Sequence, residues 1–238
     1  MTDIQHQLLQ MIARVAQALG PELGERMAFV GGATTGLLLT DPFTREQVRS
    51  TDDVDLIVHV LGTVGFAALQ EQLQARGFRI VPPAADETLP ICAMKLDGMR
   101  VDFMPDDEAV LGFTNRWYRD ALATALPHTL PDGQRIRLVT PAYFLATKLD
   151  AWKGRGQNDA LGSRDIEDVL ALVDGREELI AEIKAAPNEL WDAVADELGR
   201  LLSDGYFQMA VQSQTQGDRA RESRLYIRLE QLAKMRPS

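Results

Sequence analysis

The sequence predicts an α+β fold, with a mixed β-sheet core flanked by helices and an all-helical C-terminal region. Three observations carry this. Short apolar, β-branched runs alternate with helical patterns up to about residue 140. From Pro141 the apolar spacing is helical almost to the end. At 238 residues, 45% of them apolar, the chain can build one large domain or two small ones around a real core. The expected division is an α/β core over 1–140 and a helical domain over 141–238.

The elements follow in chain order. Ile4, Leu8, Met11, Ile12, Val15 and Leu19 recur at helical spacing, so the N-terminus reads as an amphipathic helix. "MAFVGG" (27–32) is a strand entering a glycine turn, and "ATTGLLLT" a short helix. "DPFTREQVRST" reads as a loop and "VDLIVHV" (54–60) as a strand. Residues 64–76 suit a helix ended by Gly77. "FRIV", "ICAMKL" and "MRVDFM" are strands, the last two joined by Asp-Gly, a hairpin signal. "RIRLV" (135–139) is a further strand.

Composition excludes several classes. A net charge of −10 argues against a protein that coats nucleic acid non-specifically. Charge is nevertheless segregated. Arg135 to Arg164 holds six Lys/Arg against two Asp, whereas Glu177 to Asp204 holds eight Asp/Glu against Lys184 and Arg200. The single cysteine, Cys92, excludes an intrachain disulfide and fits a cytoplasmic setting. It lies in an apolar run and reads as a buried structural thiol. With one cysteine and three scattered histidines, a zinc site of usual spacing is not expected. No apolar run is long enough to span a bilayer, and no secretory leader is read at the N-terminus.

The informative stretch is "STDDVDLIV", residues 50–58. Aspartate is a poor strand residue, yet carboxylates crowd the start of an apolar strand. Residues two apart on a strand share a face, so Asp53 and Asp55 stand about 6.5 Å apart at Cα. Such a pair repels itself unless a cation intervenes. Oxygen-only ligands of this kind suit Mg²⁺. A third carboxylate on a neighbouring strand would complete a clamp for in-line phosphoryl or nucleotidyl transfer, and Asp102 in "RVDFM" offers one. Upstream, Gly31 and Gly32 permit close backbone approach to a ligand. A helix after them would add a phosphate cradle of amides, with Thr34 and Thr35 as further hydroxyl donors. Each piece alone has an ordinary structural explanation; the combination in this order is sharper.

These residues resemble a known family. Gly31-Gly32, then "RSTDDVDLIV", then "VDF" are similar to the nucleotidyltransferase superfamily that includes DNA polymerase β. The Arg49–Thr51–Asp53–Asp55 run, with the glycine pair roughly twenty residues earlier, most resembles the AbiEii branch, which includes bacterial toxin nucleotidyltransferases. The resemblance implies a nucleotidyltransferase-like sheet core and an enzyme moving an NMP from an NTP to an acceptor hydroxyl. Asp53, Asp55 and Asp102 would be the catalytic, metal-binding carboxylates, with Mg²⁺, or Mn²⁺ in its place. Gly31, Gly32, Thr51, Lys148 and Asp165 would bind the nucleotide. The acceptor would be the 3′ end of an RNA or tRNA, a protein hydroxyl or a small molecule, and a cognate antitoxin would be a partner. Two alternatives stand beside it: a catalytically idle fold acting as a nucleotide-binding or regulatory partner in a toxin–antitoxin pair, and a metal-dependent hydrolase.

The second motif, residues 140–172, starts a helix at Pro141. Phe144, Leu145, Leu149 and Trp152 form one apolar stripe with Lys148 inside it. A buried ammonium needs a partner. Lys148 therefore snorkels, pairs with a carboxylate such as Asp165, or meets a ligand anion. The resemblance favours a nucleotide phosphate and leaves open whether Asp165 or Asp168 is the matching acid. Lys153, Arg155 and Arg164 are further phosphate candidates or a solvated basic face. Trp117, Trp152 and Trp191 read as core, and Arg219, Arg221, Arg224 and Arg228 as a solvated helix face.

Overall fold

The structure is a computed structural model that describes residues 2–80, 91–155 and 159–234. In chain order the elements are α1 (Asp3–Gly24), β1 (Met27–Val30), a 3₁₀ turn (Gly32–Thr34), α2 (Thr35–Leu38), α3 (Pro42–Arg45), β2 (Asp53–Val58) and α4 (Gly62–Gln74). Then come β3 (Arg79–Ile80), β4 (Ala93–Leu96), β5 (Met99–Pro105), α5 (Glu108–Leu111), α6 (Tyr118–Ala123), β6 (Leu126–Thr129) and β7 (Arg135–Leu138). The C-terminal helices are α7 (Pro141–Gly154), α8 (Arg164–Gly175), α9 (Leu179–Ala185), α10 (Asn188–Leu201), α11 (Gly205–Thr215) and α12 (Arg219–Lys234). The chain forms two compact units. One comprises Met1–Thr34 and Arg49–Thr140, the other Thr35–Val48 and Pro141–Ser238.

The first unit holds a mixed seven-stranded sheet in the order β3-β4-β5-β2-β1-β7-β6. The pairs β2–β5 and β1–β7 are parallel; the other neighbours are antiparallel. Every residue of β1 is buried, which fits its unbroken apolar run in the middle of the sheet. The Asp97-Gly98 turn of the β4–β5 hairpin has positive φ at both residues (50° and 87°), as a two-residue hairpin requires. Thr2 and Gln5 cap α1 reciprocally. The helix buries Leu8, Met11, Ile12, Val15 and Leu19, while Ile4 from the expected stripe is exposed. It kinks at Gly20, where Pro21 removes a helical donor.

Several sequence expectations change in detail. The strand expected over 78–81 is described only at Arg79–Ile80, and Val81 lies outside the described residues. β6 was not expected: "LPHT" carries a proline, which is tolerated because β6 is an edge strand. α5 and α6 are too short to show an apolar period. The stretch read as a loop after Thr40 contains α3, with Asp41 capping the Thr44 amide and Pro42 at the first position.

The second unit is helical. Ser163 caps α8 through the Ile166 amide. α8 buries Ile166, Val169, Leu170 and Val173 and is packed by α7, α11, α12 and α3. On α12, Arg219 and Arg224 are exposed as expected, whereas Arg221 and Arg228 depart from a solvated face. Arg221 is 3% exposed. It is ion-paired with buried Asp174, donates to Gln47, and lies over the Phe43 ring. Arg228 donates to the carbonyls of Val173 and Asp174. The Asp174 carboxylate and the Gln47 amide oxygen offset the cost of burying Arg221.

Candidate functional site

The site is built on the parallel pair β2–β5. Along β2, Val54, Leu56 and Ile57 are buried, while Asp53 and Asp55 are half-buried. Parallel register sets Asp55 opposite Asp102, and Asp53 opposite Arg100. One carboxylate oxygen from each of Asp53, Asp55 and Asp102 lies within 4.8 Å of the others. This is the one such cluster of metal-ligating side chains among the described residues.

Three carboxylates so close need compensating charge. Arg100, two residues before Asp102 on the same strand face, supplies it. Its Nε donates to Asp102 Oδ1 at 2.8 Å and its Nη2 to Oδ2 at 2.6 Å, a two-pronged charge-assisted pair. That bond, with the charges of Asp53 and Asp55, raises the Arg100 pKa still further, so the guanidinium is permanently charged. Thr51, also buried, donates its hydroxyl to Asp53 Oδ1. Cys92, buried in the run leading into β4, has its thiol pushed up to about 12 by burial and then by the nearby Asp102 charge. It is a structural thiol and not a nucleophile.

The glycine turn abuts this cluster. Val30 pairs with Asp55, so the chain leaves β1 beside that carboxylate. Gly31 has φ of 81°, and a Cβ there would lie 2.7 Å from Asp55 Cγ. Only glycine meets both demands. A Cβ on Gly32 would lie 2.9 Å from the Arg49 guanidinium carbon. The short helix expected after the glycines is present as a 3₁₀ turn that opens at Gly32 (Gly32–Thr34) and runs directly into the single-turn α2 (Thr35–Leu38). The Thr34 hydroxyl donates to the Gly31 carbonyl at 2.8 Å.

Lys148 and Asp165 belong to the second unit. Lys148 Nζ lies 3.1 Å from Asp165 Oδ1, 2.8 Å from Asp168 Oδ2 and 5.8 Å from the Phe144 ring centroid. Both acids therefore partner it. Asp168 is 1% exposed and also accepts from Thr35 at 3.2 Å, while Arg155 reaches Asp165 at 3.3 Å. Thr35, like Thr34, is engaged within the fold. Lys153 lies 3.9 Å from Glu197, and Arg164 is exposed at the start of α8. Trp117 and Trp152 are core residues.

Sequence reasoning missed Arg100 as a site residue. The signal was present: Arg100 and Asp102 are two apart on one strand and so share a face. Arg49 was noticed as part of a motif but not as the side chain covering Gly32.

No family model matches the chain, and no curated protein matches it. Among solved structures it is similar to the crystal structure of an antigenic nucleotidyltransferase-like protein from Paracoccidioides brasiliensis. The identity is 23%, over 97% of this chain and 94% of that one, with a TM-score of 0.44.

Proposed function

We propose that the protein is a divalent-metal-dependent nucleotidyltransferase that moves an NMP from an NTP to an acceptor hydroxyl. The observation that carries this reading is the convergence of Asp53, Asp55 and Asp102 within 4.8 Å beside a glycine turn that tolerates no side chain. The donor set is all carboxylate oxygen, which fits a hard cation such as Mg²⁺, with Mn²⁺ as substitute. Asp53, Asp55 and Asp102 would hold it, and when bound the cation neutralises phosphate charge and lowers the barrier to attack.

The chain's own residues supply positioning. Gly31 and Gly32 would hold the triphosphate on the sequence motif, their bare Cα positions being packed by Asp55 and Arg49, and Thr51 fixes the Asp53 carboxylate. Asp102 takes the proton of the acceptor hydroxyl. The acceptor oxygen forms a bond to the α-phosphorus, and the bond from that phosphorus to pyrophosphate breaks. Catalysis is then largely orientation and charge stabilisation. The nucleotide-binding roles of Lys148 and Asp165 are assigned on the sequence motif, and a raised KM for NTP in Lys148→Met tests the first.

For the acceptor, an RNA such as the 3′ end of a tRNA heads the order of trial, because of the basic 135–164 segment and the likeness to toxin nucleotidyltransferases of the AbiEii type. A small molecule or a protein hydroxyl follows. A toxin role would bring a cognate antitoxin as partner. No helix among the described residues is long and apolar enough to cross a membrane. The second reading, an idle nucleotide-binding fold, draws on the Arg100 fork that already neutralises Asp102. Incubation with each NTP labelled at the α-phosphate, Mg²⁺ and total RNA separates the two. Label on an acceptor, lost in Asp53→Asn, supports transfer; nucleotide binding without label on any acceptor supports the idle fold.

A further inference from the structure

The pairing of Arg100 with Asp102 carries a consequence for how the site is loaded. Both prongs of the guanidinium fill the two oxygens of the carboxylate that a cation would need. Arg100 stands opposite Asp53 in the same ladder, so it balances the whole cluster and not one acid alone. Its side chain is 37% exposed against 8% for Asp102. The guanidinium therefore borders solvent, while the carboxylate is buried in the sheet.

We propose that Arg100 is a built-in counter-ion which competes with the divalent cation for Asp102, so that the site loads metal and nucleotide together. This rests on the functional reading given above. A cation arriving alone must displace a charge-assisted fork and leave a guanidinium without its partner. A cation arriving with a triphosphate brings a new anion whose oxygens match the same fork geometry. Arg100 thus acts as a positioning residue: it holds Asp102 against its neighbours in the resting site and yields it when the metal–nucleotide complex arrives. The consequence is positive coupling between metal and nucleotide, with weak occupancy by bare metal.

The test is Mn²⁺ binding to the full chain, followed by electron paramagnetic resonance of the free ion. It is made with and without a non-hydrolysable NTP analogue, on the wild type, Arg100→Gln, Arg100→Lys and Asp53→Asn. Circular dichroism confirms that each variant is folded. Without nucleotide, Arg100→Gln is expected to bind Mn²⁺ about tenfold more tightly than wild type, the size of one charge-assisted interaction. Arg100→Lys, which keeps the charge but loses the fork, is expected in between. The analogue should tighten Mn²⁺ binding in wild type clearly more than in Arg100→Gln. Unchanged or weaker binding in Arg100→Gln, while Asp53→Asn still abolishes binding, would overturn the role of Arg100 and leave the transferase reading standing. Absence of Asp53-dependent Mn²⁺ binding in every protein, with or without the analogue, would overturn both.

Discussion

Asp55 stands directly opposite Asp102 across the parallel pair β2–β5, and this register brings a third carboxylate to a pair already two residues apart. Carboxylates at this spacing repel one another, and the Arg100 fork on Asp102 offsets part of that repulsion.

Removing one of these charges should therefore separate stability from activity. Asp53→Asn and Asp55→Asn are expected to lower kcat/KM for nucleotidyl transfer by at least about a hundredfold, the scale for loss of an essential charge-stabilising group. Asp53→Asn keeps an oxygen for the Thr51 hydroxyl and relieves like-charge repulsion, so it should keep or raise the midpoint of thermal unfolding. Parallel kinetics and calorimetry check the pair of outcomes. A large fall in unfolding temperature would assign Asp53 to the structure instead.

Gly31 and Gly98 form a matched comparison. Both have left-handed φ, 81° and 87°, but a Cβ at Gly98 meets nothing within 4 Å, whereas at Gly31 it meets the Asp55 side chain. Gly98→Ala should cost about 1 kcal/mol from backbone strain alone. Gly31→Ala should cost clearly more, and it should also abolish Asp53-dependent Mn²⁺ binding by displacing Asp55. Urea denaturation and metal titration of the two variants test this.

In the second unit, Lys148 neutralises two buried acids at once. Lys148→Met takes the ammonium from both acids, although Asp165 keeps Arg155 and Asp168 keeps the Thr35 hydroxyl, so a loss of about 3 kcal/mol, the lower end for a broken buried pair, is expected. Asp165→Asn should cost less, because Lys148 keeps Asp168. Urea unfolding of both variants gives the order; the reverse order would show that Asp165 carries the network.

Cys92 gives a prediction in pH. Its folded-state pKa, about 12, lies above the ordinary thiol value of 9.0. The buried neutral thiol therefore adds stability that is fully present below about pH 9 and is lost as pH rises toward the folded value. Native protein should react with Ellman's reagent at pH 8 only at the rate of unfolding, far below that of the urea-denatured chain. Fast stoichiometric labelling of native protein would contradict the burial.

How much of this was legible in the sequence depends on the range of the interaction. The amphipathic first helix, the Asp-Gly hairpin and the pair Asp53–Asp55 are local patterns, and periodicity reveals them. That Asp102 joins them follows from pairing β2 with β5, residues far apart in the chain; its presence inside an apolar strand and the family resemblance of "VDF" were the hints. The fork from Arg100 was signalled by the two-residue spacing on one strand face but was overlooked, because an arginine near an aspartate reads as ordinary solvated charge. Burial of Arg221 was hidden for the same reason: its partner Asp174 lies on another helix. The 3₁₀ turn that opens at Gly32 could not be told from a regular helix start, since both begin with the same small residues.

The most direct test of the transferase reading follows the fate of each phosphate. The protein is incubated with Mg²⁺, total RNA and an NTP carrying label in the α position, and in parallel with the same NTP labelled in the γ position. Transfer of an NMP predicts α-label covalently on the acceptor, γ-label released as pyrophosphate, and neither in the Asp53→Asn/Asp55→Asn variant. Label from the γ position on the acceptor, or α-label retained by the double variant, would contradict it.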